Sequence, residues 1–202
     1  MILYGGTRSP FVRRIDIWLR LQDRNFEANR MSPMGETYAA LKRINPVGRI
    51  PALSIDEGEN LIETTAIIDY LEESAPADRR LIPVSGADRR HCLQRIAIAN
   101  STSEKAVALL YERNRRPEEF HWHEWHDRLE DQIAGGLAYL ETIVPKSGWM
   151  GGDRPDGSDV AAVCAYDFLA ITNKSLLTDC PKLAALSARA NELEAFRSSY
   201  PE

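Results

Sequence analysis

Strand-like stretches occupy only the first third of this chain, and every stretch beyond Pro76 carries helical periodicity alone. Ile2-Leu3-Tyr4 reads as a short buried strand ended by Gly5-Gly6. From Pro10 to Gln22 the apolar residues Phe11, Val12, Ile15, Trp18, Leu19 and Leu21 recur at helical spacing, and Ser9-Pro10 is a favourable helix start. A second strand is predicted around 26–29 and a helix around 36–44. Asn45-Pro46-Val47-Gly48 is a turn cluster, followed by a strand over 51–55, a turn at Glu57-Gly58, a strand over 60–62 and a helix over 64–73. This order predicts a small mixed sheet with helices packed on it.

The charged, proline-containing stretch after Ala75-Pro76 reads as a linker. Four helical patterns then follow, over about 88–115, 119–144, 158–172 and 181–199. Asp156-Gly157-Ser158-Asp159 before an apolar run has the form of a helix cap, with two carboxylates in reciprocal positions. The expected division is 1–77 for the mixed domain, 78–87 for the linker and 88–202 for an all-helical domain.

Net charge is −5, and most of the basic pairs Arg13-Arg14, Arg79-Arg80, Arg89-Arg90 and Arg115-Arg116 have acidic neighbours. They read as solvated helix faces, so no nucleic-acid or acidic-lipid partner is predicted. Cys92, Cys164 and Cys180 are odd in number and contain no CxxC, which suits reduced thiols rather than a disulfide framework or zinc site. No signal-peptide pattern or membrane-length apolar run is present, and a cytoplasmic protein is expected.

Three phrases carry a resemblance: Ser9-Pro10-Phe11-Val12-Arg13, then Asn45-Pro46-Val47-Gly48-Arg49-Ile50-Pro51-Ala52-Leu53, then Glu63-Thr64. In this order, ahead of a helical half with an Asp-x-x-Asp cap, they resemble the glutathione S-transferase superfamily over the whole chain, in its serine-type, theta-like register. The resemblance implies α/β plus all-α architecture: an N-terminal thioredoxin-like domain and a C-terminal helical-bundle domain. It implies a cis Ile50-Pro51 bond that turns the Ile50 backbone toward the cysteinyl part of glutathione. It also implies a γ-glutamyl pocket in which Glu63 meets the ammonium, while the Thr64 hydroxyl and the N–H groups of a helix start meet the carboxylate.

Ser9 is the implied catalytic residue. A free thiol has a pKa of about 8.5, and lowering it by about two units takes roughly 2.7 kcal/mol. A hydroxyl hydrogen bond to a charged acceptor contributes about 1.5–3 kcal/mol and a helix start about 0.3–1 kcal/mol. No metal is required. Ser9 can also cap its own helix, and Tyr4 and Thr7 are alternatives for its role. A serine cannot form the mixed disulfide of the family's cysteine-bearing branch.

The implied activity is transfer of glutathione, as cosubstrate, to a small hydrophobic electrophile at the domain interface of a homodimeric detoxification enzyme. The alternatives are a glutathione-dependent isomerase or dehalogenase, or a non-catalytic regulatory protein of the same fold. Tyr111 and Asn114 are positional candidates for the electrophile site, and Tyr200 for a closing tail. His121, His123 and His126 invite a metal, but a solvated helix end is the expected reading. Arg13 is expected to pair with Asp16 within its helix.

Overall fold

The computed structural model describes residues 1–201. Its contacts divide it into two units, 1–81 with the stretch from Asn191 onward, and 82–190. This differs from the division read from the sequence in one respect of consequence: the end of the chain belongs with the first unit.

The first unit begins with β1 (Ile2–Tyr4), α1 (Pro10–Leu21) and β2 (Glu27–Asn29), then α2 (Tyr38–Ile44), β3 (Ala52–Ser54), β4 (Asn60–Ile62) and α3 (Thr64–Glu73). The sheet order is β2-β1-β3-β4, with β1 and β2 parallel and the other pairs antiparallel. This is the mixed sheet expected from the sequence, and the strands and helices lie within a residue or two of the predicted spans.

Val12, Ile15, Trp18 and Leu19 of α1 are buried with Ile67, Ile68 and Leu71 of α3 and Leu3 and Leu53 of the sheet. Burying one such side chain contributes about 1.5–3 kcal/mol. The Trp18 indole N–H cannot be buried unpaired, and it donates to Glu72 Oε1 at 2.9 Å. The same carboxylate accepts from Gln22 Nε2 at 2.8 Å and from the Leu81 N–H at 3.1 Å. One buried acid therefore ties α1 and α3 to Leu81, the last residue of the unit's first segment.

Arg13 and Arg14, expected on a solvated face, are buried. The cause is that α1 is covered on more than one side: it packs on α3, on β1 and on α8 (Glu194–Arg197) near the chain's end. Asp16 pairs with Arg20 at 2.5 Å, not with Arg13.

The second unit contains α4 (Gly86–Arg115), α5 (His123–Ile143), α6 (Gly157–Thr172) and α7 (Pro181–Ala190). A Cβ at Gly136 would lie 2.0 Å from Thr102 Oγ1, so glycine lets α4 and α5 approach closely. The predicted helix over 119–144 starts later, after a single tight turn at Glu118–Phe120. The pattern over 181–199 is not one helix: the chain leaves helical geometry between α7 and α8, where it turns back to pack on α1.

The cap on α6 forms as expected. Asp156 Oδ1 accepts from Ser158 N at 2.7 Å and Asp159 N at 3.3 Å, and Asp159 Oδ2 accepts from Asp156 N at 3.0 Å. Asp159 also accepts from Met150 N at 2.9 Å and Gly151 N at 3.2 Å, pinning the preceding loop. Burial pushes the Asp159 carboxyl up to about 6, against the pull of those N–H donors.

Candidate active site

Strand register brings the three sequence phrases to one end of the sheet. Ala52 pairs with Tyr4 on one side and with Ile62 on the other. The loop leaving β1 toward Ser9, the Ile50-Pro51 entry to β3 and the Glu63-Thr64 exit from β4 therefore lie on three adjacent strands. Adjacent strands stand roughly 4.8 Å apart, so the group spans about 10 Å across the sheet. Gly5 tightens it. At φ 125° it adopts a conformation that L side chains avoid, and a Cβ there would lie 2.6 Å from Val12 Cγ2 and 3.0 Å from Ile50 Cβ. Gly5 thus seats Ile50 against the first turn of α1.

Ser9 is half-buried and has the extended backbone of a helix cap, with φ −74° and ψ 124°. Its Oγ accepts the Val12 N–H at 3.4 Å, longer than the roughly 2.7–3.2 Å of well-formed bonds. The Ser9 hydroxyl proton donates to no group among the described residues, so the cap leaves the donor uncommitted. Tyr4 is buried, and its phenol lies 3.3 Å from Ser54 Oγ. Ser54 is opposite Ile2, so that contact directs the phenol toward the start of β1 and away from the Ser9 loop. Thr7 lies in the same loop as Ser9, half-buried.

The Ile50-Pro51 bond is cis. Asn45 organises the turn before it: Nδ2 donates to Arg49 C=O at 2.8 Å, and Oδ1 accepts from Val47 N at 3.0 Å. Neither the N–H nor the C=O of Ile50 is hydrogen-bonded among the described residues. Glu63 caps α3 at φ 70° and ψ 133°, a conformation costing a non-glycine residue about 1–3 kcal/mol. Its Oε1 accepts from Thr64 N at 2.7 Å and Thr64 Oγ1 at 3.1 Å, while Oε2 takes no bond among the described residues. The Thr64 hydroxyl proton is therefore committed to Glu63. The donors left at this helix start are the backbone N–H groups of Thr65 and Ala66, a refinement of the sequence reading.

Neither Gly5 nor Asn45 was singled out from the sequence as a determinant of the site. The Gly-Gly after a strand and the Asn heading a Pro-Val-Gly turn were the available signals.

In the second unit, Tyr111 and Asn114 are exposed on the last turns of α4. His126 is buried, not solvated, because it continues the apolar stripe of Leu129, Ile133, Leu137 and Leu140 on α5. Burial and the neighbouring His121 hold its pKa below the ordinary histidine value. No group of metal-ligating side chains with suitable geometry occurs among the described residues. The three cysteines are buried and unbridged, and burial beside Asp156 pushes the Cys92 thiol up to about 12. No helix among the described residues is long and apolar enough to cross a membrane.

Residues 3–79 match the family model of the glutathione S-transferase N-terminal domain, and residues 124–189 that of its C-terminal domain. The chain is 31% identical over 207 residues to maleylacetoacetate isomerase of Pseudomonas aeruginosa, spanning 100% of this chain and 96% of that protein. A glutathione S-transferase from Methylobacterium radiotolerans, solved with glutathione sulfonate, superposes with a TM-score of 0.91 at 26% identity, covering 99% of this chain and 94% of that one. A bacterial zeta-class glutathione S-transferase, maleyl pyruvate isomerase, superposes with a TM-score of 0.80 at 26% identity over 100% and 97% of the two chains. Matches to the family models of both domains, together with a relative 31% identical over the whole length, show that the chain belongs to the glutathione S-transferase superfamily.

Proposed function

We propose that this chain is a glutathione-dependent enzyme that isomerises a small cis-alkene conjugated to a carbonyl group, with Ser9 holding the thiol of glutathione as the thiolate. Bound glutathione supplies the nucleophile, a thiolate that adds to the alkene and leaves after bond rotation, so that glutathione is returned. The Ser9 hydroxyl donates to the thiolate while its oxygen accepts from the helix. Glu63 Oε2 takes the γ-glutamyl ammonium, and the N–H groups of Thr65 and Ala66 take the adjoining carboxylate. Ile50 pairs through its backbone with the cysteinyl unit, as in an added strand.

The observation that carries the reading is Glu63. Glycine takes φ 70° and ψ 133° with far less strain, yet a carboxylate-bearing residue stands there with one oxygen open. The residues fit the peptide on that ground and on the unpaired polar groups of Ile50. Isomerisation is preferred to net conjugation because relatives from Pseudomonas aeruginosa and Rhizobium meliloti, matched over the whole of this chain, are maleylacetoacetate isomerases. Both outcomes share the step that Ser9 assists. Homodimerisation and a cytoplasmic location, which the resemblance implies, belong to the same proposal.

Calorimetric titration with reduced glutathione tests the pocket, with Glu63→Gln alongside. Saturable binding weakened about tenfold or more in the variant is expected, since a hydrogen bond to a charged group contributes about 1.5–3 kcal/mol. Counting free thiol during turnover of a maleyl keto acid then separates the outcomes. A constant count supports isomerisation, and a count falling one for one with substrate supports conjugation. Absence of binding at millimolar glutathione would overturn the enzymatic reading in favour of a regulatory one.

A further inference from the structure

Arg13 lies one turn along α1 from Ser9, and its N–H donates to the Ser9 C=O at 3.0 Å. Its side chain is 1% exposed. A guanidinium is costly to bury, and a helix in this position has no intrinsic need of one. Its partners explain it. Nε donates to Ser199 Oγ at 3.4 Å, and Nη2 donates to Asn191 Oδ1 at 3.0 Å and to the Phe196 C=O at 3.3 Å. The guanidinium carbon also stands 5.0 Å from the centre of the Tyr200 ring. These four residues belong to the stretch from Asn191 onward, which returns to the first unit after the helical unit is complete. Phe196 of α8 is fully buried in the same contact. Ser199 in turn donates to the Phe196 C=O at 3.0 Å, so the segment presents a fixed set of acceptors to the arginine.

We propose that Arg13 is a positioning residue of the active site: it clamps the C-terminal segment onto α1 and thereby holds the first turn that presents Ser9. The planar fork serves all three acceptors at once through two different nitrogens, which a lysine ammonium cannot reproduce. The catalytic part of this inference rests on the role proposed for Ser9, but the clamp itself does not.

Amide hydrogen exchange on the full-length protein without glutathione decides the clamp. Arg13→Lys is compared with wild type, and so is the double variant Asn191→Ala, Ser199→Ala, which keeps the arginine and covers the case in which Arg13→Lys folds poorly. Protection over 191–200 is expected to fall tenfold or more, protection of Val12 and Arg13 to fall with it, and protection of α6 to stay unchanged. With glutathione bound, the thiolate fraction at neutral pH is expected to fall several-fold in the same variants. Undiminished protection over 191–200 would overturn the clamp. Loss there with the amides of Val12 and Arg13 and the thiolate titration unmoved would overturn positioning. If wild type itself shows no thiolate, the role of Ser9 fails, while exchange at Val12 and Arg13 still decides whether the segment holds this turn.

Discussion

Replacing Ser9 by alanine separates the helix-cap role that the structure gives its hydroxyl from the thiolate-donor role proposed for it. As a helix cap, a serine typically contributes about 0.5–2 kcal/mol. Here the Val12 N–H stands 3.4 Å from Oγ, so the low end applies, about 0.5 kcal/mol. As donor to a thiolate, the same hydroxyl contributes about 1.5–3 kcal/mol, or roughly one to two pKa units. Ser9→Ala should therefore leave urea stability almost unchanged. The pKa of protein-bound glutathione, followed by thiolate ultraviolet absorbance against pH, should rise by about one to two units. Near neutral pH the thiolate fraction and kcat/KM should fall together by roughly ten- to a hundredfold. Thr7→Ala and Tyr4→Phe serve as controls and should leave the titration in place. A loss of about 2 kcal/mol in stability with the thiolate titration unmoved would refute the reasoning and leave Ser9 a cap alone.

Gly5→Ala should both destabilise the first unit and weaken glutathione binding, because its φ of 125° disfavours a side chain and the new methyl would lie 2.6 Å from Val12 Cγ2. Chemical unfolding should show a loss of about 2 kcal/mol or more, and calorimetry should show weaker binding. Asp159 gives a pH dependence of defined sign. Its carboxyl is raised from 3.8 to about 6 by burial, so the stability linked to its protonation is fully present below about pH 4 and lost as pH rises through about 6. Relative to Asp159→Asn, wild type should gain stability on acidification over that window, by at most about 3 kcal/mol; a constant difference between the two would contradict a raised pKa. Cys92, with its thiol pushed up to about 12, should resist a disulfide-exchange reagent at mildly alkaline pH until the helical unit unfolds. Rapid labelling of the native protein at that position would count against its burial.

The features read correctly from the sequence are those written in neighbouring residues. Ser9-Pro10 starts a helix, Asp156 and Asp159 cap one, and Glu57-Gly58 closes a hairpin because short-range chemistry decides each case. The break between α7 and α8 has no such marker, since no proline or glycine stands at 191–193. It follows from the return of the chain to α1, which is a tertiary contact. Arg13 was misread for the same reason: a charged residue beside Arg14 looks solvated, and the groups that bury it lie 178 to 186 residues away. His126 stood in a polar run, where its place at the head of an apolar stripe was outweighed by its neighbours. Within the site, the phrases were legible one by one. Their convergence depends on the pairing of Ala52 with both Tyr4 and Ile62, a register that no single phrase specifies.

The distribution of unmet polar chemistry in the first unit carries the argument for a ligand further than any motif. Asn45 is buried and engaged on both side-chain atoms as well as its carbonyl, and Glu72 gathers donors from α1 and from Leu81. These groups are satisfied by the fold itself, as buried polar groups ordinarily are. At the Ser9 end of the sheet the pattern changes. The Ser9 proton, the N–H and C=O of Ile50, one oxygen of Glu63 and the N–H groups of Thr65 and Ala66 have no partner among the described residues. The same end holds Glu63 in a strained backbone conformation. A fold optimised for stability alone would place glycine there and close the Ile50 edge. Departures from local consistency are expected where a site has to be kept open for something else. The open groups comprise donors, acceptors and a carboxylate, and under the proposed function the cost of leaving them open would be offset by binding of the zwitterionic peptide.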